Sequence, residues 1–595
     1  MHLTWPMITL CFALVLLFAG GFCSTLPAAT YEVAQRDARA SDAGPGSPER
    51  PWKTLGNAAT KVMAGDVVRI RGGVYRERLL LKARGTAQAP IRLEAAPGEQ
   101  VVMTGADRLT GWRKADDARP IYSVPWPHRF IGWNPNMTHP DDRYHQIIGR
   151  CEQVIVDGYL LRQVLGSNQL APGAFFIDVT NKLMHVWDAG SRDLNRVHIE
   201  ASVRQEVLRV EGGHVQVRGV RFRHAANSAQ HGAVVLAGSH AVMEDCVVES
   251  MNSCGATFTG EDVTVRRCVF RDNGQLGFGA SRAHRLLFTE CLVENNNVKS
   301  FDRGWEAGGD KLVLSRDAVL ERSRFARNRG NGIWFDIGNT NCTVRECLIA
   351  DNEDAGIFCE ISFALHAHDN VIVGNGFAPT AGAWGAQAGI SLSSSPGCVI
   401  ERNLIFGNRE GFNFREQTRV TPTIADATER PVWNHDQLIR HNLIVNNRDA
   451  QVWGWFDVKD NRHWPANDAA ASQATAMAAK KPDDLAGAYV AKSSDGQPQG
   501  LTLERLRLRF ENNVYSAAPG QGWFKWGPSW ARNKTLAGVD EFQMELGIDA
   551  GGAVLNPEFA DPLQLDFRLS AESMRRCQDS YPQGTIPGVR LGVLR

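Results

Sequence analysis

Three short segments of this chain hold residue types suited to acid–base chemistry. They are Gly304-Trp305-Glu306-Ala307-Gly308-Gly309-Asp310-Lys311, Gly332-Ile333-Trp334-Phe335-Asp336 and Gly356-Ile357-Phe358-Cys359-Glu360. Gly332 and Gly356 lie 24 residues apart, so the last two segments align without gaps. In strands, alternation puts Ile333, Phe335, Ile357 and Cys359 on one side, and Trp334, Asp336, Phe358 and Glu360 on the other. Neighbouring strands lie ~4.8 Å apart, so Asp336 and Glu360 become stacked like charges. Such a pair raises the pKa of one member and leaves an acid beside a base, which is what cleavage of a glycosidic bond needs. The expected catalytic residues are therefore Asp336 and Glu360, with Glu306 assisting. The expected substrate-binding residues are Trp305, Asp310, Lys311, Trp334, Phe358 and Arg415, with Lys311 also tuning the carboxylates. Continued onto later segments, the outward column reaches Ser393 in GISLS and Arg415 in GFNFRE. That face would suit a polar ligand laid along the strands.

The elements that must position these residues recur along the chain. VRGVRFRHAAN (217–227), MEDCVVESMN (243–252), VRRCVFRDN (265–273), FTECLVENN (288–296), LERSRFARN (320–328), VRECLIADN (344–352) and IRHNLIVNN (439–447) are variants of one alternating unit. Where uninterrupted, the period is 22 to 25 residues, room for about three strands of roughly 4–6 residues each. Stacked coils of this kind make an all-β solenoid, a right-handed parallel β-helix. Asn328, Asn352 and Asn375 fall on one turn of adjacent coils, where Asn tolerates left-handed φ and can form an amide ladder. Cys246, Cys268, Cys291 and Cys347 share one repeat position, which predicts free, interior thiols and no particular disulfide.

The 595 residues carry 65 Lys+Arg against 65 Asp+Glu, a balance that gives no global field for nucleic acid or anionic lipid. Residues 1–29 read as a cleaved signal peptide around the apolar run Met7 to Phe22, which predicts a secreted or periplasmic protein. An uncleaved anchor or a lipoprotein at Cys23 is the alternative. No other segment is a candidate span. Residues 30–110 read as an N-terminal cap and first coils, 111–200 as an inserted β-rich module, and 201–595 as the β-helix. The last part contains an Ala-rich insertion at 460–492 and a closing coil.

The run D-A-G-P-G…P-W-K-T-L…A-G-D-V-V-R-I-R-G-G-V-Y (42–75) resembles the N-terminal cap of secreted pectate-lyase-like β-helix proteins. The block E-A-G-G-D-K…G-I-W-F-D…G-I-F-C-E-I-S is similar to a large group of secreted bacterial right-handed β-helix repeat proteins. Some of that group stand alongside glycoside hydrolases and polysaccharide lyases. The resemblance implies carbohydrate-active chemistry and maps onto Glu306, Lys311, Asp336 and Glu360. Cys359 departs from the His common in the last motif, which removes one acid, base or ligand.

The leading expectation is a glycoside hydrolase acting on a polysaccharide or oligosaccharide. A polysaccharide lyase would instead use Lys311 or Arg415 as base, with Ca²⁺ on the acidic column. A non-catalytic glycan-binding or adhesion solenoid is the third reading. No cofactor is required by the first reading. His366-Ala367-His368 is the nearest approach to a metal motif, and it offers only two ligands.

Overall fold

The structure is a computed structural model, and it describes residues 28–130, 149–304, 306–379, 387–416, 419–456, 507–528 and 534–580. The expected signal segment up to residue 27, Trp305, and the Ala-rich insertion at 460–492 lie outside the described residues.

Three sheets of 13 strands each run the length of the molecule, with successive coils contributing one strand to each. Pairing between coils is parallel throughout the repeat, as in Val247↔Val269, Leu292↔Arg324 and Leu348↔Val371. The molecule is thus a parallel β-helix. Inward positions form one continuous apolar core from Val33 to Ile548. Within it Phe258, Phe270, Phe278, Phe288 and Phe325 follow one another, Phe278 and Phe288 stacking at 4.5 Å. The ten cysteines of the described residues are all free and buried, and they pack as small apolar side chains.

Polar ladders mark two of the turns. Asn273, Asn296, Asn328, Asn352, Asn375 and Asn408 each donate a side-chain amide to the Asn of the next coil at 2.9–3.1 Å, the ladder ending on Asn447. Asn370, Asn403 and Asn442 do the same, ending on Asn513, at the turn where earlier coils carry Cys246, Cys268, Cys291 and Cys347. The expectation that these Asn take left-handed φ is corrected. The residue before each takes it: Arg327 (φ 53), Asp351 (φ 56) and Gly374 (φ 66). That kink turns the following Asn inward, where its amide meets backbone carbonyls that no strand satisfies.

The end of the solenoid is closed by helix α1 (Leu55–Lys61), capped by Thr54, whose hydroxyl accepts the Asn57 N–H. Between residues 106 and 202 the described residues form one antiparallel and one mixed sheet around Trp112, Trp126, Phe175 and Met184. The strands that matter below belong to one of the long sheets or hang from it. They are β1 (Gly308–Val313), β2 (Ile333–Asp336), β3 (Ile357–Glu360), β4 (Ala388–Ser393), β5 (Glu410–Glu416), β6 (Arg419–Thr421), β7 (Arg430–Val432) and β8 (Ala450–Phe456). β6 and β7 pair antiparallel as a hairpin inserted after β5.

Gly332, Gly356, Gly389 and Gly411 stand beside the first residue of β2, β3, β4 and β5, and a Cβ on any of them would meet the next coil's backbone within 3.0 Å. This close approach is why each of these four positions is Gly.

Asn352 Oδ1 accepts from the Asn328 backbone and side chain, while its own amide donates to Phe325 and Asn375. Replacing it strands several buried polar groups at ~1–3 kcal/mol each. Asn352→Ala is expected to lose about 3 kcal/mol of unfolding free energy in urea. A loss under ~0.5 kcal/mol, the range of an ordinary surface change, would contradict the ladder's structural role.

Candidate functional site

β2 and β3 pair in register, Ile333↔Ile357, Trp334↔Phe358 and Phe335↔Cys359. Ile333, Phe335, Ile357 and Cys359 enter the core, while Trp334 and Phe358 form a separate outer cluster with Ala355. Asp336 and Glu360 follow on the outer face, and Glu360 continues in register to Ser393 and Arg415.

Lys311 is the hub of the column. Its Nζ lies 2.8 Å from Asp336 Oδ2 and 3.2 Å from Glu306 Oε1. It also sits 4.1 Å from the centroid of the Trp334 ring, a cation–π contact. Burial alone would pull the ammonium down, but the charges of Asp336 and Glu306 outweigh it and hold Lys311 above its ordinary value. For Asp336 burial wins: its carboxyl is raised to about 6, with Glu360 adding to the rise and Lys311 opposing it. Asp336 Oδ1 has no hydrogen-bond partner. Glu360 is ion-paired to Arg419 of β6.

β1 explains how Lys311 reaches this position. Its ladder to β2 is made at Leu312↔Phe335 and Val313↔Asp336, with a bridge at Gly308↔Asn331, and is interrupted between them. In the gap the Trp334 N–H donates to Asp310 Oδ1 at 3.0 Å. The expectation that Asp310 lines the outer groove is therefore corrected. Asp310 is a strand residue in register with Phe278 and two places before Leu312, both of the core, and it is fully buried. Desolvation raises its carboxyl well above the usual range.

A second correction concerns exposure. The sequence reads as an open groove, yet Asp336 and Glu360 are each 7% exposed, and Trp334 and Phe358 are buried. The rings of Trp334 and Phe358 lie 5.5 Å apart at a tilt of 33°. With Lys311 on its ring, Trp334 is the floor beneath the ammonium rather than an open platform for a sugar. The cover includes the β6–β7 hairpin: Arg419 grips Glu360, and the Pro422 carbonyl lies where a Cβ on Gly338 (φ +67) would stand. Arg415 is likewise fully buried and already engaged by neighbours, so it is not a guanidinium offered to an open groove.

The acidic column is a poor Ca²⁺ cage. Asp310 belongs to the other side of the strand, and the Lys311 ammonium stands between Glu306 and Asp336. His366 and His368 are each engaged by a carboxylate, Glu401 and Asp369 respectively.

The structure thus brings together Glu306, Lys311, Trp334, Asp336, Phe358 and Glu360, and separates Asp310. Sequence reasoning missed Arg419 because it lies in an insertion without repeat pattern. The signal was the stretched interval between GFNFRE and IRHNLIV, which had to hold something over this face. It also missed Glu410, buried beside Asn413, where neighbouring coils have Ala355, Ala388 and Ala450 before the outer column.

Comparison with known proteins defines the class. The family described as "Right handed beta helix region" matches residues 205–304 and 231–387, a range that includes Glu306, Lys311, Asp336 and Glu360. The fold is the right-handed parallel β-helix. Among solved structures, XylC in complex with xylose superposes with a TM-score of 0.62 over 89% of this chain and 87% of that one, at 16% identity. A mannuronic-acid-specific polysaccharide family 6 lyase from human gut microbiota covers 94% of this chain and 96% of its own at 12% identity, with a TM-score of 0.43. The uncharacterized protein YwoF of Bacillus subtilis is 42% identical over 65 residues, 11% of this chain and 14% of its own length. No helix of the described residues is long and apolar enough to cross a membrane.

The folded-state value of Asp336 lies above the ~3.9 of an unfolded chain. Its contribution to stability is therefore fully present below about pH 4 and is lost as pH rises through about 6. Infrared difference spectra should show a carboxyl titrating near pH 6 that vanishes in Asp336→Asn. Lys311→Met should move that midpoint upward by about one pH unit or more, since the ammonium opposes the rise. A midpoint that stays put in Lys311→Met would rule out the hub role.

Proposed function

We propose that this protein is a glycoside hydrolase, with Asp336 and Glu360 as its reacting carboxyls. The observation that carries the reading is one buried acid–base column: Asp336 is raised to about 6 beside Glu360. Below about pH 6 the Asp336 carboxyl keeps its proton and can act as an acid beside the second carboxyl. One carboxyl protonates the glycosidic oxygen as the C–O bond breaks. The other stabilises or attacks the anomeric carbon, or draws a proton from the attacking water. Lys311 keeps negative charge on the column tolerable, Glu306 anchors Lys311, and Arg419 holds Glu360. The likeness in fold to XylC, solved with xylose, supports a sugar ligand. The apolar N-terminal segment supports an exported protein meeting its glycan outside the cytoplasm.

The lyase reading needs a neutral base beside a uronate. Lys311 is a poor one, because two carboxylates and an indole hold it charged, and Arg415 is enclosed. These contacts favour hydrolysis.

A glycan panel assayed for reducing ends and for the absorbance of unsaturated uronates separates the chemistries. The expected result is reducing ends without that absorbance, with kcat reduced roughly 10²–10⁴-fold in both Asp336→Asn and Glu360→Gln. Unsaturated product from wild type, or full activity in either variant, would overturn the reading.

A further inference from the structure

Immediately beyond the carboxylate column, the outer face of β4 and β5 has a composition that folding does not require. Ser391 and Ser393 of β4 stand in register with Asn413 and Arg415 of β5, and Glu410 lies at the start of β5. The alternate positions of the same strands, Ile390, Leu392, Phe412 and Phe414, supply the core. Ser391, Ser393, Asn413 and Glu410 are all shut from solvent, none more than 4% exposed. Yet the hydroxyls of Ser391 and Ser393 and the Oδ1 of Asn413 make no hydrogen bond. Asn413 spends only its amide N–H, on Glu410 Oε2 at 2.7 Å. Buried polar atoms are almost always paired, and unmatched ones mark a missing ligand or a functional strain. Here three of them, with Nε and Nη1 of Arg415 beside them, occupy one side of two adjacent strands. They adjoin two more on the same face, Trp334 Nε1 and Asp336 Oδ1.

We propose that Ser391, Ser393, Glu410 and Asn413 form a subsite for one uncharged sugar unit, seated next to the carboxylate column. This rests on the hydrolase reading for the glycan nature of the ligand and adds its class. Hydroxyls and an amide oxygen can each serve a sugar hydroxyl, which both donates and accepts. The cation beside the subsite, Arg415, is fully buried and has neighbours of its own, although its Nε and Nη1 make no hydrogen bond. Glu410, raised to about 7 chiefly by burial, would repel a second carboxylate when ionised. Phe358 precedes Ser391 in register and Trp453 follows Asn413, giving the ring apolar neighbours at both ends. Because the atoms are shut from solvent, the site suits a single sugar unit, at a chain end or in a short glycoside. A polymer laid along the whole solenoid does not fit.

Titration calorimetry tests this on the full-length protein, with xylose, glucose, galactose and their β-1,4-linked disaccharides as probes. Glucuronate and galacturonate serve as the charged counterparts. The expected result is that at least one neutral sugar binds wild type and Asp336→Asn. Binding is tenfold or more weaker in Ser391→Ala and in Asn413→Ala, and the uronates bind more weakly still. Ser391→Ala should unfold at the same temperature as wild type or higher, because it deletes an unmatched hydroxyl; a lower midpoint would mean a structural role. Binding that resists both substitutions, tighter uronate binding, or no neutral sugar bound would overturn the subsite. Neutral-sugar binding lost in Asn413→Ala, without hydrolysis, leaves the subsite standing and removes the hydrolase reading. Hydrolysis with KM unchanged in Asn413→Ala does the reverse.

Discussion

The parallel ladder between coils fixes the distance at which everything else in this protein must interact. Each coil sets its side chains about 4.8 Å above those of the coil before. Any residue type repeated at one position therefore becomes a column of near-contacts. Apolar columns make the core, and amide columns satisfy the turns. A column of carboxylates would repel itself, and the chain answers with cations placed between its members. Lys311 stands against Glu306 and Asp336, and Arg419 against Glu360.

That compensation is partial, and the imbalance raises the Asp336 carboxyl. Taking Asp336 out of water costs more than Lys311 returns, so its carboxyl holds its proton well above the ordinary range. The same burial leaves hydrogen-bonding atoms of Asp336, Trp334, Ser391, Ser393 and Asn413 unmatched. A stably packed surface would have filled these places with apolar side chains, as the interior of the same strands does. The outer face between β2 and β5 therefore gives up stability that the rest of the solenoid supplies.

The solenoid was legible in the sequence because strand alternation, the coil period and the small-residue turns all report one geometry. The side of the strand on which Asp336 and Glu360 fall was legible for the same reason, as were the free thiols. Asp310 was not: its segment looks like a Gly-rich bend, and only the interrupted ladder shows a carboxylate standing in for a backbone carbonyl. The left-handed residue at each turn was misplaced by one, because sequence favours Asn for that conformation while the amide ladder needs Asn inside. The closed state of the face was invisible as well. It depends on a hairpin inserted outside the repeat, whose Arg419 lies 59 residues beyond the Glu360 it holds.

We infer that a glycan is held and cleaved at the Asp336–Glu360 column. A crystal structure of Glu360→Gln grown with a neutral oligosaccharide tests it most directly. The expected result is a glycosidic oxygen within hydrogen-bonding reach of residue 336 or 360, with the adjoining sugar ring against Ser391 and Asn413. An oligosaccharide seated on another face, with Arg419 still closed over an empty column, would contradict it.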